Sequence, residues 1–173
     1  MKKLLKKLFL PDMFVGTVFD IDAAALAESG IKAFIFDIDN TLAPYALPTA
    51  DEKTLNWLNG LRERGFGVYF VSNNKTKRVR IFAENAGVPY AARALKPCKG
   101  QLLRACRDMN VAPCEAALVG DQLFTDVCGG NRLDMLTILV KPISVSEDWF
   151  VRFKRGFEAR LLAKIRDDKT EVR

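Results

Sequence analysis

Short apolar runs alternate along the chain with segments whose apolar residues recur every three or four positions. "IKAFIF" (31–36), "FGVYFVS" (66–72), "EAALVG" (115–120) and "MLTILVKP" (135–142) are brief, rich in β-branched and aromatic residues, and read as buried strands. "VPYAAR" (88–93) reads as a further short strand. Between them lie helical patterns. "TADEKTLNWLNGLRERG" (49–65) predicts a helix with Thr49 as N-cap, Glu52 three residues later and Gly65 as its stop. "KTKRVRIFAENAG" (75–87) predicts a second helix, closed by Gly87, and "PCKGQLLRACRDMN" (97–110) a third. "LFTDVCGGNRLD" (123–134) predicts a short fourth.

Strands that alternate with helices imply parallel βαβ units with right-handed crossovers. The expected fold is therefore α/β: a doubly wound, mostly parallel sheet in a three-layer sandwich. At 173 residues the chain has the length of one domain, 1–173. In such sheets ligands bind beyond the C-terminal ends of the strands. Asp37, Ser72 and Asp121 each stand at or just past such an end.

Composition narrows the chemistry. With no histidine, neither a Ser-His-Asp nor a Cys-His nucleophile is possible, nor a His-liganded metal. The four cysteines form no CxxC pair, which argues against a zinc or redox motif and for reduced, mostly buried thiols. What remains is carboxylates, lysine, hydroxyls and a hard cation held by oxygen. "FDIDNT" ends a buried strand in Asp37 and Asp39, one residue apart. Two such carboxylates can share a face, and unscreened by water they do not both stay ionised, so one is protonated or a cation lies between them. Asp121 offers a third carboxylate from another strand end. Few protein ligands, all oxygen, suit Mg²⁺, which would bind an anionic substrate and leave Asp37 free to attack. Lys96 adds positive charge, and Ser72 and Asn73 add uncharged hydrogen-bond donors.

These residues resemble the motifs of the haloacid dehalogenase (HAD) superfamily of phosphatases. "DIDNT" matches its DxDxT, "FVSNN" its second-motif serine, "LKPCKG" its third-motif lysine and "GDQLFTD" its GDxxxxD, in order and each in a fitting strand or helix context. "FLPDMFV", "GDQLFTDVCGGNR" and "TILVKPI" resemble more closely the class III YqeG-type branch, which is similar to mitochondrial phosphatidylglycerophosphate phosphatases. Asp134 stands where that branch would have glycine or a small residue. The resemblance implies that Asp37 is the nucleophile and forms an aspartyl-phosphate. Asp39 would be general acid and then base, and its backbone carbonyl would touch the metal. Mg²⁺ would be held by Asp37, Asp39 and Asp121, and Ser72, Asn73 and Lys96 would clamp the phosphoryl oxygens. Asp126 would orient the metal shell and Thr41 brace the loop.

Taken singly, each residue has a plainer reading. Asp39 and Asp121 can be helix-cap or turn acids, Ser72 a strand-end turn and Lys96 a solvated charge; four such coincidences in order are harder to explain. A receiver-like phospho-signalling module also clusters acids, a hydroxyl and a lysine at strand ends, but the second acid, Asp39, is what hydrolysis needs.

The 33 positions from Asp39 to Ser72 and the 24 from Ser72 to Lys96 leave no room for an inserted cap domain. The expected site is therefore open to a large substrate: a lipid headgroup, a protein or, less favoured, a polynucleotide end. Charge favours an anionic partner at the ends of the chain. Residues 1–15 hold four lysines against one acid, residues 141–173 nine Lys/Arg against six acids, and residues 16–140 fourteen of each. In "KKLLKKLF" the lysines face away from Leu4, Leu5 and Leu8, and Pro11 is expected to make residues 1–10 a separable appendage. "DWFVRFKRGFEARLLAKIR" (148–166) repeats Phe150, Phe153, Phe157, Leu161 and Ile165 at helical spacing among basic residues. This basic amphipathic helix, 147–166, either lies in a membrane interface or packs on the sheet. No apolar run reaches the length of a membrane span and the N-terminus lacks the features of a secretory signal, so the expected location is cytoplasmic, with peripheral membrane contact. The substrate implied by the resemblance is phosphatidylglycerophosphate.

Overall fold

The computed structural model describes residues 7–144. The basic amphipathic segment 147–166 and Lys2, Lys3 and Lys6 lie outside them. The elements run β1 (Met13–Val15), a 3₁₀ turn (Val18–Asp20), α1 (Ala23–Glu28), β2 (Ala33–Phe36), α2 (Glu52–Glu63), β3 (Gly67–Val71), α3 (Thr76–Ala86), β4 (Tyr90–Ala91), α4 (Gly100–Asp108), β5 (Ala116–Gly120), α5 (Cys128–Asn131) and β6 (Leu136–Val140). All six strands are parallel, in the order β1-β6-β5-β2-β3-β4. The winding reverses between β2 and β5, which opens a crevice above their C-terminal ends.

The period of two along each strand sorts side chains onto two faces. Phe34, Phe36, Val68, Phe70, Ala117 and Val119 join one core with Leu58 and Leu61 of α2 and Val79 and Phe82 of α3. Ala33, Ile35, Tyr69, Val71, Ala116 and Leu118 join the other with Leu102 and Cys106 of α4. Both faces are covered, which is why these strands read as unbroken apolar runs. The intervals from Asp39 to Ser72 and from Ser72 to Lys96 are occupied by α2 with β3 and by α3 with β4, so the layers of the sheet account for them.

Four local expectations change. The cap of α2 is Asp51, whose side chain accepts from the Thr54 amide at 2.8 Å, and not Thr49. A carboxylate at this position also meets the positive end of the helix dipole, which a hydroxyl does only weakly. The segment around residue 10 is no loose appendage. The Asn131 amide donates to the Leu8 and Leu10 carbonyls at 3.1 and 3.0 Å, and Asp12 accepts from the Thr137 amide and hydroxyl at 2.8 and 2.9 Å. Phe9 also meets Phe124 edge-to-face, centroids 5.2 Å apart. Two of the cysteines, Cys98 and Cys114, are exposed; Cys106 and Cys128 are buried. Finally, "LFTDV" begins as a π turn, Leu123–Val127, before α5. Gly65 and Gly87 end α2 and α3 with positive φ, as expected. Asp134 adopts φ 54, the left-handed conformation that glycine takes most readily.

Candidate active site

β2 delivers Asp37 to the switch point, where its amide still donates to the Val119 carbonyl of β5 at 2.9 Å. The chain then turns sharply. The Ile38 carbonyl accepts from Thr41, Leu42 and Ala43, and Asn40 takes φ 63. β5 delivers Gly120 and Asp121 alongside. The π turn carries Asp126 back over the strand end, and its Oδ2 accepts from the Gln122 amide at 3.1 Å. π turns recur at functional sites because the extra residue redirects a side chain. Gly120 is what lets Asp126 return: a Cβ there would sit 2.3 Å from its carboxylate.

Asp37, Asp121 and Asp126 thus gather, each offering a buried carboxylate oxygen within 4.8 Å of the others. Lys96, also buried, donates to Asp37 at 2.7 Å and pairs with Asp126 at 2.6 Å. One ammonium is shared by two of the three acids. Burial lowers the Lys96 pKa, but Asp126 and Asp37 more than compensate, so the lysine stays charged. Burial raises Asp37 to about 7; Lys96 pulls it down without offsetting the burial, and Asp126 pushes it further up. The two shifts agree once the lysine is seen as shared: it cannot neutralise every carboxylate it touches. Asp39 contributes the least of these to Asp37's shift. The crowding foreseen between Asp37 and Asp39 is therefore mainly between Asp37 and Asp126.

Asp39 faces the other way. Its Oδ2 accepts from Asn74 Nδ2 at 2.9 Å and its Oδ1 from Arg78 Nη2 at 3.1 Å. Its carboxylate is outside the acid cluster, so any share in metal binding falls to its backbone carbonyl. Ser72 is buried and its Oγ accepts from the Asn74 amide at 3.2 Å. Asn73 engages the Lys96 backbone through both polar atoms: Nδ2 donates to the carbonyl at 3.2 Å and Oδ1 accepts from the amide at 2.7 Å. It fixes where Lys96 begins. Thr41 is buried in the turn after Asp39, with its amide donating to Ile38.

The Mitochondrial PGP phosphatase family matches residues 1–144. The chain belongs to this family. Among relatives of known sequence, the probable phosphatase YqeG of Bacillus subtilis (strain 168) is 40% identical over 163 residues, covering 94% of this chain and 95% of that protein. Phosphatidylglycerophosphate phosphatase 1, chloroplastic/mitochondrial, of Arabidopsis thaliana is 29% identical over 170 residues, covering 92% of this chain and 49% of that protein. In fold, the cobalt-bound deoxy-D-mannose-octulosonate 8-phosphate phosphatase YrbI of Haemophilus influenzae superposes with TM-score 0.53 at 15% identity, over 78% of this chain and 88% of that one. The chain is thus a HAD-type phosphatase of the YqeG kind, and its α/β fold is that of the HAD group.

The donor set in this PGP phosphatase family member fits a hard divalent cation. The three clustered ligands are all carboxylates, with no sulfur or imidazole, and the negative charge exceeds what Lys96 supplies. Two residues absent from the sequence reading complete the site: Asn74 and Arg78, which fix Asp39. "SNN" followed at Arg78 by a base in the first turn of the next helix is the signal that could have found them. Arg78 looked like one more charge in a solvated helix face, yet it is largely buried at the Asp39 pair.

Proposed function

We propose that the protein is a Mg²⁺-dependent phosphomonoesterase that works through an aspartyl-phosphate on Asp37. We further propose that its substrate is phosphatidylglycerophosphate, which it converts to phosphatidylglycerol. The observation that carries the reaction type is the buried group of Asp37, Asp121 and Asp126, in which Asp37 and Asp126 share Lys96. The lipid reading is supported by the family match, by the named activity of the Arabidopsis relative, and by the net positive charge of both chain ends.

In the first half-reaction an Asp37 carboxylate oxygen forms a bond to phosphorus as the bond to the leaving alkoxide breaks. Asp39, which accepts from both Asn74 and Arg78 at rest, takes a proton from solvent as it leaves them and then gives that proton to the alkoxide. In the second, Asp39 takes a proton from water as the water oxygen bonds to phosphorus. The Asp37–phosphorus bond breaks and inorganic phosphate leaves. Lys96 and Ser72 donate to the phosphoryl oxygens, where negative charge is greatest. Asn73 keeps Lys96 in place. Asp37, Asp121 and the Asp39 carbonyl, with Asp126 beside them, would hold Mg²⁺, which would supply positive charge to offset the carboxylates and the phosphate.

The test is phosphate release from phosphatidylglycerophosphate in mixed micelles, compared with glycerol 3-phosphate and with a 5′-phosphorylated oligonucleotide. We expect Mg²⁺-dependent release, abolished by EDTA and not restored by zinc, with kcat/KM highest on the lipid. A higher value on the oligonucleotide overturns the lipid assignment. Full turnover in metal-free buffer overturns the metal. Among the described residues no helix is long and apolar enough to cross a membrane, so contact with a lipid substrate would be made from the membrane surface.

A further inference from the structure

Five large apolar side chains are exposed among the described residues, and four of them share one edge of the sheet. Tyr45 is 65% exposed, Leu47 48%, Leu95 72% and Ile143 49%; the fifth is Phe14, in the edge strand β1. Tyr45 and Leu47 lie in the loop between β2 and α2, Leu95 follows β4, and Ile143 follows β6. Because all six strands are parallel, these loops leave the same C-terminal edge that carries Asp37, Ser72 and Asp121. The four are tied to the site as well as near it. Leu95 immediately precedes Lys96, and the Ile143 amide donates to the Asn40 carbonyl at 3.0 Å. Burying a Tyr or Leu side chain would be worth roughly 1.5–3 kcal/mol, so leaving four in water around one opening marks an interaction surface.

We infer that this rim is the surface by which the protein docks onto an anionic phospholipid bilayer, with the rim's apolar side chains entering the interface and the catalytic crevice facing the headgroups. The inference rests on the lipid reading above and names the face that meets the lipid. Charge on the same edge selects a bilayer over an apolar protein partner. Lys75 and Lys77 at the start of α3, Arg93 after β4, Lys99 before α4 and Lys141 after β6 are all exposed there. The neighbouring acids are largely committed: Asp20, Asp22 and Asp51 accept from backbone amides at the starts of their own turns or helices. Apolar and aromatic side chains ringed by lysine and arginine are what an anionic interface binds, each base contributing about 1 kcal/mol near the surface. Continuity adds to this. The described chain ends at Ser144, whose Oγ donates to Asn40 Oδ1 at 2.6 Å, so the basic segment that follows sets out from this rim.

The test uses the full-length protein and the Tyr45→Ser/Leu47→Ser variant. Each is floated with vesicles of phosphatidylcholine alone and of phosphatidylcholine mixed with phosphatidylglycerol, and assayed on glycerol 3-phosphate and on vesicle-embedded phosphatidylglycerophosphate. We expect the native protein to float with the mixed vesicles. The variant should float at least about tenfold less and lose lipid turnover in proportion, while glycerol 3-phosphate turnover and Tm stay unchanged. Ile143→Ser, in a separate loop, should weaken flotation in the same direction. Flotation of the variant equal to the native protein overturns the proposal, because the basic ends alone then hold the membrane. So does a parallel loss of soluble turnover and Tm in both variants, which makes the rim structural. Failure of the native protein to bind either vesicle leaves the rim to another occupant, the chain's own C-terminal segment or a protein, and also overturns it. Vesicle binding that depends on the rim, without hydrolysis of phosphatidylglycerophosphate, keeps the docking face and sinks the substrate assignment alone.

Discussion

The site has two halves that differ in kind. Over β2 and β5, Asp37, Asp121 and Asp126 form a buried cluster with more negative charge than Lys96, which pairs with Asp37 and Asp126, supplies in return. Over β3, Asn74 and Arg78 donate to Asp39 and hold it, while Ser72 Oγ accepts from the Asn74 amide. Asp37 and Asp39 are two positions apart in sequence and fall on opposite sides of this divide. Asp37 meets Lys96, and Asp39 meets Asn74 and Arg78. The acid half accumulates charge that a cation can relieve, and the donor half holds the residue to which the proposed mechanism gives proton transfer. Neither half is arranged for stability alone. Arg78 leaves Nε and Nη1 buried with no hydrogen-bond partner, a cost that a purely structural ion pair would avoid.

The largest test removes the acid that only the first half can use. Asp37→Asn should fold normally and lose turnover on any phosphomonoester by at least about 1,000-fold, read as phosphate release with deamidation excluded by mass spectrometry. Substantial turnover in that protein would end the division of labour. Next comes Arg78→Gln, which acts on Asp39 only through its position. We expect kcat to fall by roughly 10- to 100-fold with KM and Tm little changed, and Arg78→Lys to recover part of it. A rise in KM alone would place Arg78 on the substrate instead.

A smaller effect separates the halves by pH. Asp37 holds its proton to about 7 in the folded protein and to about 3.8 when unfolded. The stability tied to that proton is full below the unfolded value and is lost as pH rises through 7. With no histidine in the chain, nothing of that type masks the change. In EDTA, Tm should therefore fall by several degrees between about pH 5 and about pH 8. Asp37→Asn should flatten the fall, and Mg²⁺ should raise Tm most at the upper end. An equal slope in the variant would assign the titration elsewhere. The smallest effect lies outside both halves and calibrates them. Asp51→Ala should cost about 1 kcal/mol in urea unfolding and Thr49→Ala only a few tenths, with turnover unchanged by either.

Much of this was legible in the sequence for identifiable reasons. The strands announced themselves because both faces of the sheet are covered, and "AFIF" or "AALVG" has no other use for so many apolar residues. Asp37, Ser72 and Asp121 were placed on one edge by the parallel topology alone. What could not be read was direction. Nothing in the DxD spacing says that Asp37 turns to Lys96 while Asp39 turns to Asn74 and Arg78. Whether Asp126 joins the acids depends on an extra residue in a π turn, which has no periodic signature. β1 was missed because three residues at a sheet edge, one of them exposed, carry no alternation to count. The docking of residues 8–12 was missed because the Leu8 and Leu10 carbonyls, Phe9 and Asp12 all find partners more than a hundred positions away, which no local pattern records.

That docking governs when the molecule can be finished. β1 is the first strand to leave the ribosome, and its neighbour in the sheet is the last: Met13 pairs with Ile138, and Asp12 reaches Thr137 across 125 positions. Until β6 has emerged, β5 is an open edge, apolar on both faces, with its amides and carbonyls unpaired on one side. Such an edge is a template for another chain, and the pairing of β1 on β6 that follows must close a loop of 125 positions. A nascent chain whose β6 has not yet emerged should thus recruit chaperones or aggregate, whereas one whose residues up to 144 have cleared the exit tunnel can pair all six described strands. The interval between those two stages is the period of synthesis in which this phosphatase is most exposed to misassembly.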